Sequence, residues 1–499
     1  MSASPDVSPA TEFAPVESPP LWLPIVLTAM AGGMAWGIRG QYGHETGAMM
    51  SGLLMGFVLM LLFCRRANSL ATARAIALCT VAIGFGGSET YAQSVGLTHD
   101  AQFHGNFAAL MWGMTGLAVK GAVWVGFGGA FLGLALGGVR YRWWEMLLVM
   151  LGMIGLHFLG VELLNEPFKP EERILPPIYF SHAWKWLTDP DAELKPRPEI
   201  WGGLVFALAG LIAYAGIIRR DAMCALMGFW GILGGAVGFP TSQIVQAWNA
   251  WNPEFFKEMF DTPINWWNFM ETTFGCVMGV FLGLGLWIHR RRIKLPKSEP
   301  ASSLTPAIEW SLLFLHVGLL VGAEFFARVV NSFYADLGWK HVSITWFNLY
   351  GYWLGLIPIV AIVGGRRWPY LQVFLVTAIP ITGKTVRNLI YEQQVVMFGS
   401  EQHSTLIGWG VYLGVPLLLA LCLALFFARR HSRPAQSFLV CGLIFCTWLY
   451  FGLNFAFFRF PWPWEKWTGR TPNAIVFAVF AVSLTLLALS RMGRKTSED

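Results

Sequence analysis

The stretch GAMMSGLLMGFVLMLLFCRR, Gly47 to Arg66, decides the class of fold. It is apolar almost throughout and ends on an Arg pair. About 20 consecutive apolar residues are what a helix needs to cross the hydrocarbon core of a bilayer. A basic pair directly after such a run marks the side on which the helix emerges. Runs of this kind recur along nearly the whole chain, near residues 21–38, 47–63, 72–88, 105–139, 143–163, 200–218, 221–247, 266–288, 306–328, 344–363, 369–388, 405–427, 435–455 and 472–490. The expected fold is therefore an all-α polytopic membrane protein of about fourteen transmembrane helices. The chain is only 13% charged over 499 residues, against roughly 25% in a soluble domain. The run at 105–139 is too long for one plain span and carries Lys120, so a re-entrant half-helix followed by a crossing is expected there.

Orientation follows from the basic residues. Arg65-Arg66, Arg140 with Arg142, Arg219-Arg220, Arg290 to Arg292, Arg366-Arg367, Arg429-Arg430 and Arg491 with Arg494 all follow even-numbered runs. The positive-inside rule makes their side the cytoplasm and puts both termini there, in an inner or plasma membrane. The net charge of +6 is largely this bias; it does not argue for nucleic-acid binding. Residues 1–20, rich in Pro, Ser, Thr and acids, read as a disordered tail rather than a signal peptide. Residues 21–490 form the transmembrane domain, with an outer loop at 164–199, and residues 491–499 form a cytoplasmic tail. The seven cysteines contain no CxxC pair and read as small core residues. Trp248, Trp251, Trp266, Trp267, Trp462, Trp464 and Trp467 cluster near outer loop ends, as an interfacial aromatic belt does.

Three of the apolar runs lose their character in the same way: GFGGSETYAQ (84–93), GAVGFPTSQIVQ (235–246) and IPITGKTVRN (379–388). Each passes through Gly or Pro into polar or charged residues. Backbone cannot unwind against lipid, so interruptions of this kind are expected to line an enclosed cavity, often a solute site. These are runs 3, 7 and 11, four apart. GGAFLGLAL (128–136) also resembles MGVFLGLGL (278–286) at an offset of 150 that carries Gln93 onto Gln243. Three parallel four-helix repeats (21–142, 143–292, 306–430) plus a terminal pair (435–490) are the architecture this implies.

Ionisable residues at bilayer depth are costly and usually face a partner or a cavity. Glu89, Gln93, Thr241, Ser242, Gln243, Lys384, Arg387 and Asn388 are expected to bind solute at the three interruptions, with Ser88, Thr90, Gln246, Thr382 and Thr385 beside them. Arg39, His44 and Glu45, in GIRGQYGHETG (37–47), are expected at the mouth of that cavity. His157 with Glu162, and His316 with Glu324, are candidates for proton relay. Glu145 and Glu309 stand at the start of the same two runs. No HExxH spacing, P-loop, dinucleotide fingerprint or nucleophile elbow occurs in a credible context, so no metal, cofactor or catalytic residue is assigned.

The expected function is a secondary transporter or permease for a small polar or anionic solute, with the bilayer and that solute as its partners. The alternatives are a membrane-embedded glycosyl- or acyl-transferase acting on a lipid-linked substrate, or a non-transporting assembly subunit.

Overall fold

A computed structural model describes residues 12–88, 91–187, 196–259, 263–320, 354–396, 399–459 and 466–492. Regular structure in them is helical: α1 (Trp22–Arg39), α2 (Met49–Phe63), α3 (Ser69–Gly86), α4 (Ala92–His99), α5 (Phe107–Leu136), α6 (Trp143–Leu164), α7 (Trp201–Ile218), α8 (Ala222–Trp251), α9 (Pro253–Met259), α10 (Trp266–Arg292), α11 (Pro306–Leu320), α12 (Leu354–Gly364), α13 (Trp368–Glu392), α14 (Glu401–Arg429), α15 (Gln436–Phe457) and α16 (Thr471–Met492). Ten of them are long and apolar enough to cross a membrane: α3, α5 to α8, α10 and α13 to α16. The protein is an all-helical, multi-pass membrane protein.

Glycine positions its central helices. Along α5, Gly121, Val125, Gly129 and Gly133 meet Gly235, Gly231, Met227 and Met223 of the antiparallel α8, four residues at each step. Along α1, Pro24, Thr28 and Gly32 meet Gly283, Gly279 and Gly275 of α10 in the same manner. A Cβ built on Gly235 would lie 1.8 Å from the Gly121 carbonyl oxygen, so the two backbones touch. In lipid, where burial between helices gains little, such close approach is the main source of association. These pairings join residues 21–142 to residues 143–292, so the two proposed repeat units interlock.

Lys120 is on a continuous 30-residue α5. The short separate element is α4, which precedes it.

The basic loops share one face. Arg219 donates to the Arg140 carbonyl, Lys294 N to Leu136 O, Arg74 to Gly365 O and Ser69 N to Arg433 O. Of the tail expected to be disordered, residues 12–20 are held against this face. Ala14 N donates to Leu295 O, Glu17 pairs with Arg65 and Arg491, and Glu12 pairs with Lys297. Its acids meet the loop cations, so a segment without Lys or Arg still lies on the basic side.

Candidate functional site

Of the three expected interruptions, only the first is a break in the helix. α3 stops at Gly86, and α4 begins at Ala92. α8 runs unbroken through Pro240, and Ser242 Oγ donates back to Phe239 O at 2.7 Å. α13 also continues through Pro380, with wider π turns at 372–376 and 387–392. Proline cannot donate to the ladder and crowds the preceding turn. Neighbouring hydroxyls bond back to carbonyls of their own helix: Thr377 Oγ1 donates to Gln372 O (2.7 Å), Thr382 Oγ1 to Ala378 O (2.9 Å) and Thr385 Oγ1 to Ile381 O (2.9 Å). The polar residues that look like cavity lining in sequence thus partly satisfy their own helix.

Arg39 stands beside the break. It is fully buried at the end of α1 and donates to Tyr91 Oη at 2.6 Å, to Glu271 Oε1 of α10 at 3.1 Å and to His44 Nδ1 at 3.1 Å. Its guanidinium lies over the rings of Trp36 (4.7 Å), Trp124 (5.4 Å) and Tyr91 (5.6 Å). An arginine has only donors, so the His44 Nδ1 accepts and the imidazole is neutral with its proton on Nε2. The surrounding protein, then Arg39 and Lys384, push the His44 pKa down to about 3. Burial raises the Glu45 carboxyl, against the pull of Lys384 and Arg39.

The α1–α2 turn is fitted to these side chains. Gly43 has φ of +93°, and a Cβ there would lie 2.8 Å from Lys384 Nζ. A Cβ on Gly40 would lie 2.4 Å from Glu271 Oε2. Lys384 Nζ donates to Tyr42 O at 2.8 Å and to Thr46 Oγ1 at 3.3 Å, which ties α13 to the turn.

α4 carries the second polar shell. Gln93 Oε1 accepts from Tyr179 Oη (3.3 Å) and Arg197 N (3.0 Å), both in the connection between α6 and α7. Ser94 Oγ accepts from Lys120 Nζ at 2.9 Å, and Lys120 also pairs with Glu199 at 2.6 Å. Both Lys120 and Glu199 are buried, and Glu199 accepts from Ser181 Oγ and Phe180 N as well. Thr98 Oγ1 accepts from Gln243 Nε2 at 2.7 Å. The side-chain oxygens of Gln243 and Gln246 are buried with no hydrogen-bond partner among the described residues.

The expected residues therefore separate. Arg39, His44, Glu45 and Lys384 gather at the α1–α2 turn, while Gln93 is in the first turn of α4 and Gln243 bonds to Thr98 at its far end. Ser242 is buried inside α8, and Thr241 is exposed on it. Arg387 pairs with Glu392 at 3.0 Å, both about half exposed. Asn388 Nδ2 donates to Phe457 O at 3.0 Å, as a link from α13 to α15. Glu89, Thr90 and Glu324 lie outside the described residues, as do Trp462 and Trp464.

His157 is buried against Gly203 and Glu162 is exposed, so the two do not share an enclosed path. His316 is buried with its ring 5.9 Å from that of Trp368. Glu145 and Glu309 act at helix starts: Glu145 accepts from Arg142 N and pairs with Arg219, and Glu309 accepts from Arg367 N.

Glu271, Tyr91, Trp36, Trp124 and Glu199 are members of the site that sequence reasoning missed. Glu271 had a signal, as the one acid in the apolar run 266–289; such a residue is a functional candidate by default. Among the described residues no group of three or more His, Cys, Asp or Glu side chains could hold a metal ion. Comparison with known protein families and with curated proteins finds no match.

Proposed function

We propose that this protein is a permease that binds a small anionic or polar solute at the α3–α4 break. The observation that carries the proposal is the meeting of an interrupted helix with a fully buried arginine, Arg39, in a ring of Tyr91, His44, Glu45 and Glu271. Discontinuous helices near buried charge are the usual construction of solute sites in transporters. Arg39 cannot shed its charge, and Lys384 and Arg470 lie in the same electrostatic neighbourhood. Buried positive charge gathered at this point is attractive to an anionic group on the solute.

In this reading the fourteen-crossing topology places the break in the outer half of the membrane and both termini in the cytoplasm. The three-unit repeat remains part of the proposal through the likeness of 128–136 to 278–286.

The test is thermal stabilisation of the purified full chain in detergent by carboxylates, amino acids, phosphate esters and neutral sugars. An anionic or zwitterionic solute is expected to raise the melting temperature, and Lys384→Ala to abolish that rise while the protein still folds. A chain that responds to no solute, or an anion response indifferent to Lys384→Ala, overturns the proposal.

A further inference from the structure

A large cavity lies away from the site just described. It measures about 1180 Å³ and opens at the basic face between α3, α5, α6, α7 and the segment 294–303. Its lining changes character with depth. At the basic end stand Arg74, Arg140, Arg142, Arg219 and Lys294, with Glu145 and Glu299. Both carboxylates are already engaged, Glu145 by Arg219 at 2.9 Å and Glu299 by Arg366 and His431 at 2.9 Å each. Arg219 is taken up by Glu145, and Arg142 and Lys294 stand beside it at the mouth, a pair of cations suited to an anion. From there the wall follows α6 through Leu148, Val149, Gly152, Met153 and Leu156, faced by Leu78 and Leu211. Glu145 to Leu156 covers about 16 Å of helix at 1.5 Å per residue, roughly half the hydrocarbon thickness of a bilayer.

We infer that this groove holds one anionic phospholipid, its phosphate between Arg142 and Lys294 and an acyl chain along α6. Three features argue for a lipid over a soluble phosphate. The apolar wall continues far below the depth a free phosphate would use. α6 is the least internally covered of the ten spans, and Leu148 and Gly152 of the groove wall are exposed, so the groove opens sideways toward bilayer. Clustered Lys and Arg at the cytoplasmic ends of helices are the usual recognition element for anionic headgroups. The occupant is independent of the solute proposed for the α3–α4 break.

Gly152 makes the inference testable with little disturbance of packing. A Cβ added there meets no atom within 4 Å, so Gly152→Phe projects into the groove and replaces a residue that weakens a helix. The experiment is native mass spectrometry of the full chain released from micelles doped with phosphatidylglycerol or with phosphatidylcholine of the same acyl chains. One phosphatidylglycerol is expected to be retained, and phosphatidylcholine not. Arg142→Gln with Lys294→Gln should weaken retention about 25-fold, at roughly fivefold per cation near an anionic headgroup. Gly152→Phe should abolish it without lowering the melting temperature. Equal retention of the two lipids, retention by Gly152→Phe, or displacement of the lipid by inorganic phosphate alone overturns the inference. Should Gly152→Phe fail to fold, the Arg142→Gln/Lys294→Gln pair decides: unchanged retention overturns it.

Discussion

Arg39 and Glu271 are 232 residues apart in the chain and 3.1 Å apart in the fold, and both are almost wholly buried. The pair joins the end of α1 to the first turns of α10, which the glycine stripe already holds in backbone contact. Removing one partner of a buried pair leaves the other charge stranded, at a cost of about 3–5 kcal/mol, whereas removing both is often nearly neutral. Glu271→Leu alone should therefore lower the melting temperature in detergent sharply. Arg39→Leu with Glu271→Leu should recover most of the loss and still fail to respond to solute. A double variant as unstable as the single one would mean that the pair's other contacts, to Tyr91 and His44, dominate.

Lys384 and Arg387 are one helical turn apart yet should behave differently. Lys384 is bound into the α1–α2 turn, and Arg387 is in a half-exposed pair with Glu392. Exposed pairs contribute about 0–1 kcal/mol. Arg387→Ala should leave both melting temperature and solute response nearly unchanged, and Lys384→Ala should remove the response. Parallel solute titrations of the two variants measure the difference.

The pH response of His44 has a definite sign. Its folded pKa is depressed to about 3 from an ordinary 6.5 by burial and by the charges of Arg39 and Lys384. Between those values the unfolded chain binds the proton and the folded chain does not, so stability falls as pH drops below about 6.5. Glu45, raised by burial, works in the opposite sense and loses its contribution as pH rises above the carboxylate range. His44→Gln should thus flatten the melting-temperature profile between pH 6.5 and 4.5, and Glu45→Gln should not. Identical profiles for His44→Gln and the parent would remove His44 from the acid response.

Much of the fold can be read from the chain because the bilayer permits few alternatives. An apolar run ended by arginines has little else to be, and the basic loops do gather on one face. The turn 37–47 is legible for the same reason, as Arg, His and Glu are expensive there. What cannot be read is pairing. Nothing near Lys120 in sequence points to Glu199, and nothing near Arg39 points to Glu271. The three polar interruptions look alike in sequence because Ser and Thr serve two ends, lining a cavity or bonding back to carbonyls of their own helix. In α8 and α13, Ser242, Thr377, Thr382 and Thr385 do the second.

The sidedness of the loops is open to labelling. With the native cysteines replaced, including the exposed Cys422 and Cys441, cysteines at Lys297 and Ser432 should resist an impermeant thiol reagent applied to intact cells. A cysteine at Glu172 should react. Labelling of both basic-face positions from outside would invert the orientation.

The connection between α6 and α7 should be fastened by Lys120. Glu199→Gln weakens its hold on Lys120 and Ser181, and limited proteolysis of the 166–198 segment should then proceed several-fold faster than in the parent. Equal cleavage rates would show that Tyr179 and Gln93 suffice to hold it.

The strap at residues 12–20 has a consequence for biogenesis. Glu17 is held by Arg65 and Arg491, and Glu12 by Lys297. Translation proceeds at about 5–20 residues per second, so Arg491 leaves the ribosome tens of seconds after Glu17. The strap can meet Arg65 early, Leu295 and Lys297 only after α10, and Arg491 only after α16. Completion of its contacts with the basic face is therefore a late event in assembly.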